Sequence, residues 1–209
     1  MRMLLRSLSR NESTIANNKT ILKDIEEYET SDDLLASRTT LIDYLDFLER
    51  QHLIENQEAY NENYRSPERV GKSAKRHLTD PSLACACLNL NVEKLMKDLN
   101  TFGFLFEALV ERDLRIYMDY LDGKIFHFRD NITGLEVDSI LEFEDGEYAA
   151  IEIKLGYNEV DNAIINLQTF YNNMIKKPKF MCVIVGVCPS AYKDPNTGIY
   201  VVPITSLKP

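Results

Sequence analysis

The sequence predicts an α/β (α+β) chain in two parts, 1–90 and 91–209. Three observations carry this. Short apolar patterns at helical spacing fill the first part and end in a small hairpin. One long apolar stripe, from Phe102 to Leu121, opens the second part. After it, alternating or wholly apolar runs are separated by tight turns. Of 209 residues, 44% are hydrophobic and 27% charged, so the chain has the composition of a globular protein with a sizeable core.

Met3 to Arg10 reads as a short helix, and Ile21, Leu22 and Ile25 mark a second after Asn17-Asn18. Ser31 or Asp32 would cap another. Ser37 to Gln51 forms a longer helix, with Leu41, Ile42, Leu45, Phe47 and Leu48 as its apolar positions. Leu53 to Asn56 and Lys75 to Leu78 read as two strands around a polar, basic stretch from Tyr60 to Ala74. Met3–Arg10, the helix of Ile21 and Ile25, then Ser37–Gln51 as the third, followed by a hairpin with a basic tip, give the order of a winged helix-turn-helix.

In the second part, Phe102 to Leu121 is a helix whose apolar face includes Leu105, Phe106, Leu109, Val110 and Leu114. Lys124–Asp130, Leu135–Glu144 and Glu147–Leu155 are strands joined by Asn131–Gly134 and Asp145-Gly146, an antiparallel meander. A helix runs from about Glu159 to Ile175. Phe180 to Val187 is almost wholly apolar, as a strand covered on both faces requires. Ile199 to Ile204 closes the order, and Pro203 favours an edge position for it.

The net charge of −9 argues against a general nucleic-acid coat, because polyanions are repelled at long range. No apolar run approaches the ~18 residues that span a bilayer, and the basic start lacks the features of a secretory signal. Cys85, Cys87, Cys182 and Cys188 follow no zinc spacing and read as reduced thiols of a cytoplasmic protein.

Local charge is more informative. Arg65, Arg69, Lys72, Lys75 and Arg76 face one acid, Glu68, between residues 65 and 76. A solvated loop, a wing touching nucleic-acid phosphates and a protein contact all remain open for it. Gly71-Lys72-Ser73 resembles the end of a phosphate-binding loop, but position 66 is Ser66 rather than glycine and no buried strand precedes it, so no ATP site is expected.

Asp138 sits inside a strand pattern that disfavours acids. Glu152 and Lys154, two apart on the next strand, share a face, while Ile151 and Ile153 take the other. Asp138 and Glu152 are hard oxygen ligands suited to Mg²⁺ or Mn²⁺, and the carbonyl of Ile153 offers another. Lys154 could orient water or offset transition-state charge, and Glu107 could hold a bound water or second ion. A plain ion pair on a solvent-facing strand is the competing reading of Glu152 and Lys154.

The series Gly103-Phe104-Leu105-Phe106-Glu107, Phe128-Arg129, Glu136-Val137-Asp138 and Ile151-Glu152-Ile153-Lys154 resembles the PD-(D/E)xK nuclease-like superfamily. More narrowly, the chain resembles the C-terminal region of unknown function that follows the ATPase module in bacterial and archaeal AAA-type proteins. Leu4 to Asn11 and Thr14 to Asp80 are similar to the winged-helix segment of that group. The resemblance implies a restriction-endonuclease-like αβββαβ core with a mixed sheet and a site of Glu107, Asp138, Glu152 and Lys154. Gln168 matches a polar position that some members use near the site. No ATPase module lies in this chain. DNA, an ATPase module or another protein is the expected partner. A Mg²⁺-dependent nuclease, a binding module on an inactive nuclease-like core and a regulatory lobe of an ATPase are the competing functions.

Overall fold

The computed structural model describes residues 1–28, 37–63, 65 and 74–208. They form two compact units that interleave along the chain: Met1–Gln57 with Ser73–Ala108, and Glu58–Lys72 with Leu109–Pro209.

In the first unit, α1 (Arg2–Arg10), α2 (Asn18–Tyr28) and α3 (Arg38–Arg50) are followed by β1 (Ile54–Gln57), β2 (Lys75–Leu78), α4 (Pro81–Cys87), α5 (Val92–Lys97) and the start of α6 (Leu99–Tyr120). Each of the first three helices contributes one stripe to a shared core: Leu4 and Leu8 from α1, Ile21 and Ile25 from α2, and Leu41, Leu45 and Leu48 from α3. Ile42 and Phe47, also apolar in the α3 pattern, are exposed. The Ser37 hydroxyl accepts the Thr40 N–H and fixes where α3 starts. Strands β1 and β2 pair antiparallel, Ile54 against Leu78 and Gln57 against Lys75. The cap expected at Ser31 or Asp32 lies outside the described residues.

Two short helices, α4 and α5, fill a stretch that the sequence pattern leaves without elements. Each has a polar cap: Asp80 accepts the Ser82 N–H before Pro81, and Asn91 accepts the Lys94 N–H.

The second unit holds β3 (Lys124–Arg129), β4 (Glu136–Glu142), β5 (Tyr148–Lys154), α7 (Val160–Asn173), β6 (Phe180–Val185), β7 (Tyr192–Lys193) and β8 (Tyr200–Pro203). The six strands form one mixed sheet in the order β3-β4-β5-β6-β8-β7. The meander β3-β4-β5 is antiparallel; β5, β6 and β8 run parallel. Parallel neighbours need a crossover, and α7 supplies it between β5 and β6. Gly146, at φ +77°, makes the β4–β5 turn possible. Strand β8 is not at the edge that Pro203 suggests, because the two-residue β7 pairs outside it at Tyr192–Val201. Pro203 itself stands beyond that pairing, beside Val185.

The stretch after β1 departs from a free basic loop. Ala59 forms a parallel bridge with His127, and the Tyr60 N–H donates to the His127 carbonyl at 2.7 Å. This segment covers the outer side of the edge strand β3. The Tyr60 ring is buried, 6.0 Å from Phe126 and 5.1 Å from Tyr148. An aromatic side chain of this size gains most by joining an apolar core, which is why the chain enters the second unit here. The rest of that core comes from Val137, Ile140, Leu167, Phe170 and Val183 and their neighbours.

Candidate functional site

The site of the second unit starts from an irregularity in β4. Phe126 pairs with Ile140 but Phe128 pairs with Val137, so Asp138 and Ser139 both stand opposite His127. This is a β-bulge, a device that re-aims side chains. It explains why Val137 and Ile140, three apart, join the same core. Ser139 turns to the opposite side, where its buried hydroxyl donates to the buried Glu111 carboxylate on α6.

The β4–β5 pairing runs from Glu142–Tyr148 to Ser139–Ile151. One step further, the Asp138 side chain takes over: its Oδ2 accepts the Ile153 N–H at 2.8 Å. The same oxygen lies 3.3 Å from Lys154 Nζ, which also contacts Glu152 Oε2 at 2.7 Å. Glu152 is 3% exposed. Its other oxygen accepts from Asn166 Nδ2 of α7 at 2.7 Å, and Asn166 also donates to the Glu136 carbonyl. These side chains border an open cleft of ≈ 380 Å³, with Glu136 and Glu159 also on its wall.

The electrostatics follow from one ammonium set between two carboxylates. Burial, and then the facing Asp138, push the Glu152 carboxyl up to about 8, against the pull of Lys154 and Asn166. For Lys154, burial favours the neutral amine, but Asp138 and Glu152 together outweigh it and hold the ammonium above its ordinary range. The trio carries an excess of negative charge whenever both carboxylates are ionised, so it favours a further cation.

The structure brings Asp138, Glu152 and Lys154 together, and Ile153 joins them through its backbone N–H. Glu107 belongs to the first unit, where it accepts from Lys75 Nζ at 2.6 Å in a largely buried pair. Gln168 is exposed; the α7 side chain that meets Glu152 is Asn166, two residues earlier. Two residues turn a helix by about 200°, so the two amides lie on opposite faces. Of the five basic residues between β1 and the end of β2, Arg65 is exposed, Lys75 is paired with Glu107, and Arg76 donates to the Ala16 carbonyl and to Asn18. Arg69 and Lys72, and with them Gly71-Lys72-Ser73, lie outside the described residues. Sequence patterns do not single out Glu111, Ser139 or Asn166. A carboxylate at position 111, inside the apolar stripe of α6, is the available signal for the first of them.

A family model described as a domain of unknown function, DUF4143, matches residues 102–207. The chain belongs to the DUF4143 family. That family is found in AAA-ATPase-associated proteins, which makes the matched part an ATPase-associated domain of unknown function. A second model, the domain of unknown function DUF8612, matches residues 1–94. No curated protein matches the chain. Among solved structures, the chain is similar to one from a refined half-complex of Thermococcus gammatolerans McrB AAA+ hexamers with bound McrC. The identity is 9% and the TM-score 0.34, over 96% of this chain and 70% of that one. Among the described residues, no helix is long and apolar enough to cross a membrane, and all four cysteines are free thiols.

Proposed function

We propose that this DUF4143 protein carries a metal-dependent phosphodiesterase site of the PD-(D/E)xK type, acting on DNA. The observation that carries the reading is the Lys154 ammonium held between Asp138 and Glu152 at the wall of an open cleft. The helix and strand order α6-β3-β4-β5-α7-β6 supports a restriction-endonuclease-like core. In the same way, α1-α2-α3-β1-β2 supports a winged helix for docking nucleic acid or a partner.

The residues fit a hard divalent cation. The position between two carboxylates already holds one positive group, and Mg²⁺ commonly uses only one or two protein carboxylates. Among the described residues no three His, Cys, Asp or Glu side chains are grouped to share one ion, so this would be a two-carboxylate site. Asp138, Glu152 and the Ile153 carbonyl are the proposed ligands. A bound Mg²⁺ or Mn²⁺ would polarise a phosphoryl oxygen and activate water for attack. Lys154, whose ammonium borders the same cleft, would offset the charge that builds on the phosphate. Asn166 holds Glu152 in place, and the Ile153 N–H holds Asp138. Gln168, on the exposed face of α7, takes no part in this set.

The test is incubation of the purified chain with plasmid and single-stranded DNA in Mg²⁺ or Mn²⁺. Cleavage should fall by about 100-fold or more in Asp138→Asn and in Lys154→Ala, with unchanged circular dichroism. No cleavage by the wild type, or equal cleavage by the variants, refutes it. Membership of a family found in ATPase-associated proteins favours a second reading, an inactive nuclease-like module that regulates an AAA-type ATPase. In that case the chain should co-purify with an ATPase regardless of residues 138, 152 and 154.

A further inference from the structure

The described residues that line a second cleft all belong to the first unit. The cleft measures ≈ 560 Å³, a volume in the range of ligand sites, and is bordered by Ala16, Asn18, Lys19, Leu22, Arg38 and Arg76 among others. Three cations from three elements converge on it, and none of its described lining residues is acidic. In a chain of net charge −9 that is an unusual concentration of positive charge.

The three cations differ in how they are held. Arg76 is fixed: its N–H donates to the Thr14 carbonyl, and its guanidinium donates to the Ala16 carbonyl at 3.1 Å and to Asn18 Oδ1 at 2.7 Å. Both hydrogen-bond partners are neutral acceptors, and the nearby Glu49 carboxylate offsets part of the charge while three guanidinium N–H groups remain for a ligand. Lys19 and Arg38 are exposed and make no ion pair among the described residues. Asp24 is committed to Arg10, Ser7 and Asn11, while Glu49, which accepts from Asn56, is the acid whose field reaches Arg76. Arginines with open forks suit phosphate oxygens, and a lysine adds a mobile point charge.

We propose that this cleft binds phosphate groups along a nucleic-acid backbone. A phosphodiester chain presents singly charged groups in series, so cations from three elements can each meet one of them. The contact is to phosphate, so it positions a nucleic acid without reading its sequence. The proposal does not rest on the Asp138–Glu152–Lys154 site, and it places the phosphate contact on α2, α3 and β2 rather than on the hairpin tip.

The test uses the full chain in EDTA, so metal-dependent cleavage plays no part in it. Anisotropy of a fluorescein-labelled DNA duplex is titrated across a range of KCl concentrations. In the double variant Lys19→Gln/Arg38→Gln, duplex affinity should fall about tenfold or more at low salt. The slope of log affinity against log salt should shrink by about two, since each phosphate contact contributes about 0.9. Both side chains are exposed, so the variant should keep the wild-type circular dichroism. Absence of duplex binding by the wild type, or an unchanged affinity and slope in the variant, overturns the proposal. So does binding of inorganic phosphate, or of poly-glutamate, that the duplex cannot displace, because either result assigns the cleft to another anion.

Discussion

Replacing Glu12 by Gln should change the pH dependence of stability, and the size of the change follows from what surrounds the side chain. Glu12 is 3% exposed. Its Oε2 accepts the Leu78 N–H at 3.0 Å and its Oε1 meets His77 Nδ1 at 3.1 Å, while His77 Nε2 lies 3.2 Å from Gln57 Oε1. Burial pushes the Glu12 carboxyl up to about 7, although the Leu78 and Ser13 N–H groups pull the other way. A carboxyl whose folded value is raised contributes stability that is fully present below its unfolded value, 4.5, and is lost as pH rises through about 7. The interval corresponds to about 3 kcal/mol. Gln can keep the Leu78 bond and donate to His77 Nδ1, provided His77 carries its proton on Nε2, toward Gln57. Urea unfolding followed by far-ultraviolet circular dichroism compares wild type and Glu12→Gln at about pH 4.5 and about pH 8.5; titrating groups away from Glu12 cancel in the difference, and the same pair of measurements in a His77→Gln background removes the one that touches it. The variant should gain about 3 kcal/mol on the wild type between the two conditions. A difference independent of pH refutes the argument that burial dominates at Glu12.

Two further outcomes are expected. Asn166→Ala should cost about 1–3 kcal/mol, because it strips a buried Glu152 oxygen of its α7 donor, and should weaken Mn²⁺ binding measured by calorimetry; Gln168→Ala, on the exposed face, should do neither. Tyr60→Ala should cost about 3 kcal/mol or more in urea unfolding, because the ring packs with Phe126 and Tyr148; a cost near zero would mean the segment after β1 does not belong to the second unit's core.

Much of the scaffold is legible in the sequence because it rests on period and turn chemistry. The stripe from Phe102 places α6 within three residues of its observed start at Leu99, and Asp145-Gly146 marks the β4–β5 turn. Alternation alone puts Glu152 and Lys154 on one face, where they meet each other and Asp138. What stays hidden depends on neighbours distant in sequence. The bulge at Asp138 and Ser139 exists only in register with β3, and Ser139 finds Glu111 only when α6 lies against the sheet. Asn166 rather than Gln168 faces the cleft because of where α7 begins, at Val160, and boundaries are the least readable feature of a helix. Lys75 and Arg76 resemble surface charge because sequence shows a basic cluster but not the Glu107 and Asn18 that take up its donors.

The segment carrying Tyr60 also bears on how the protein is made. During synthesis the first unit's helices emerge early, but Tyr60 must wait for Phe126 and Tyr148, which leave the ribosome much later. Until then an aromatic side chain and the unpaired backbone beside it stand exposed in a nascent chain. The second unit, for its part, cannot close the edge of β3 without residues translated long before it. A chain trimmed to the DUF4143 match at 102–207 would therefore emerge with a bare strand edge and a gap beside Phe126 and Tyr148, and both invite self-association.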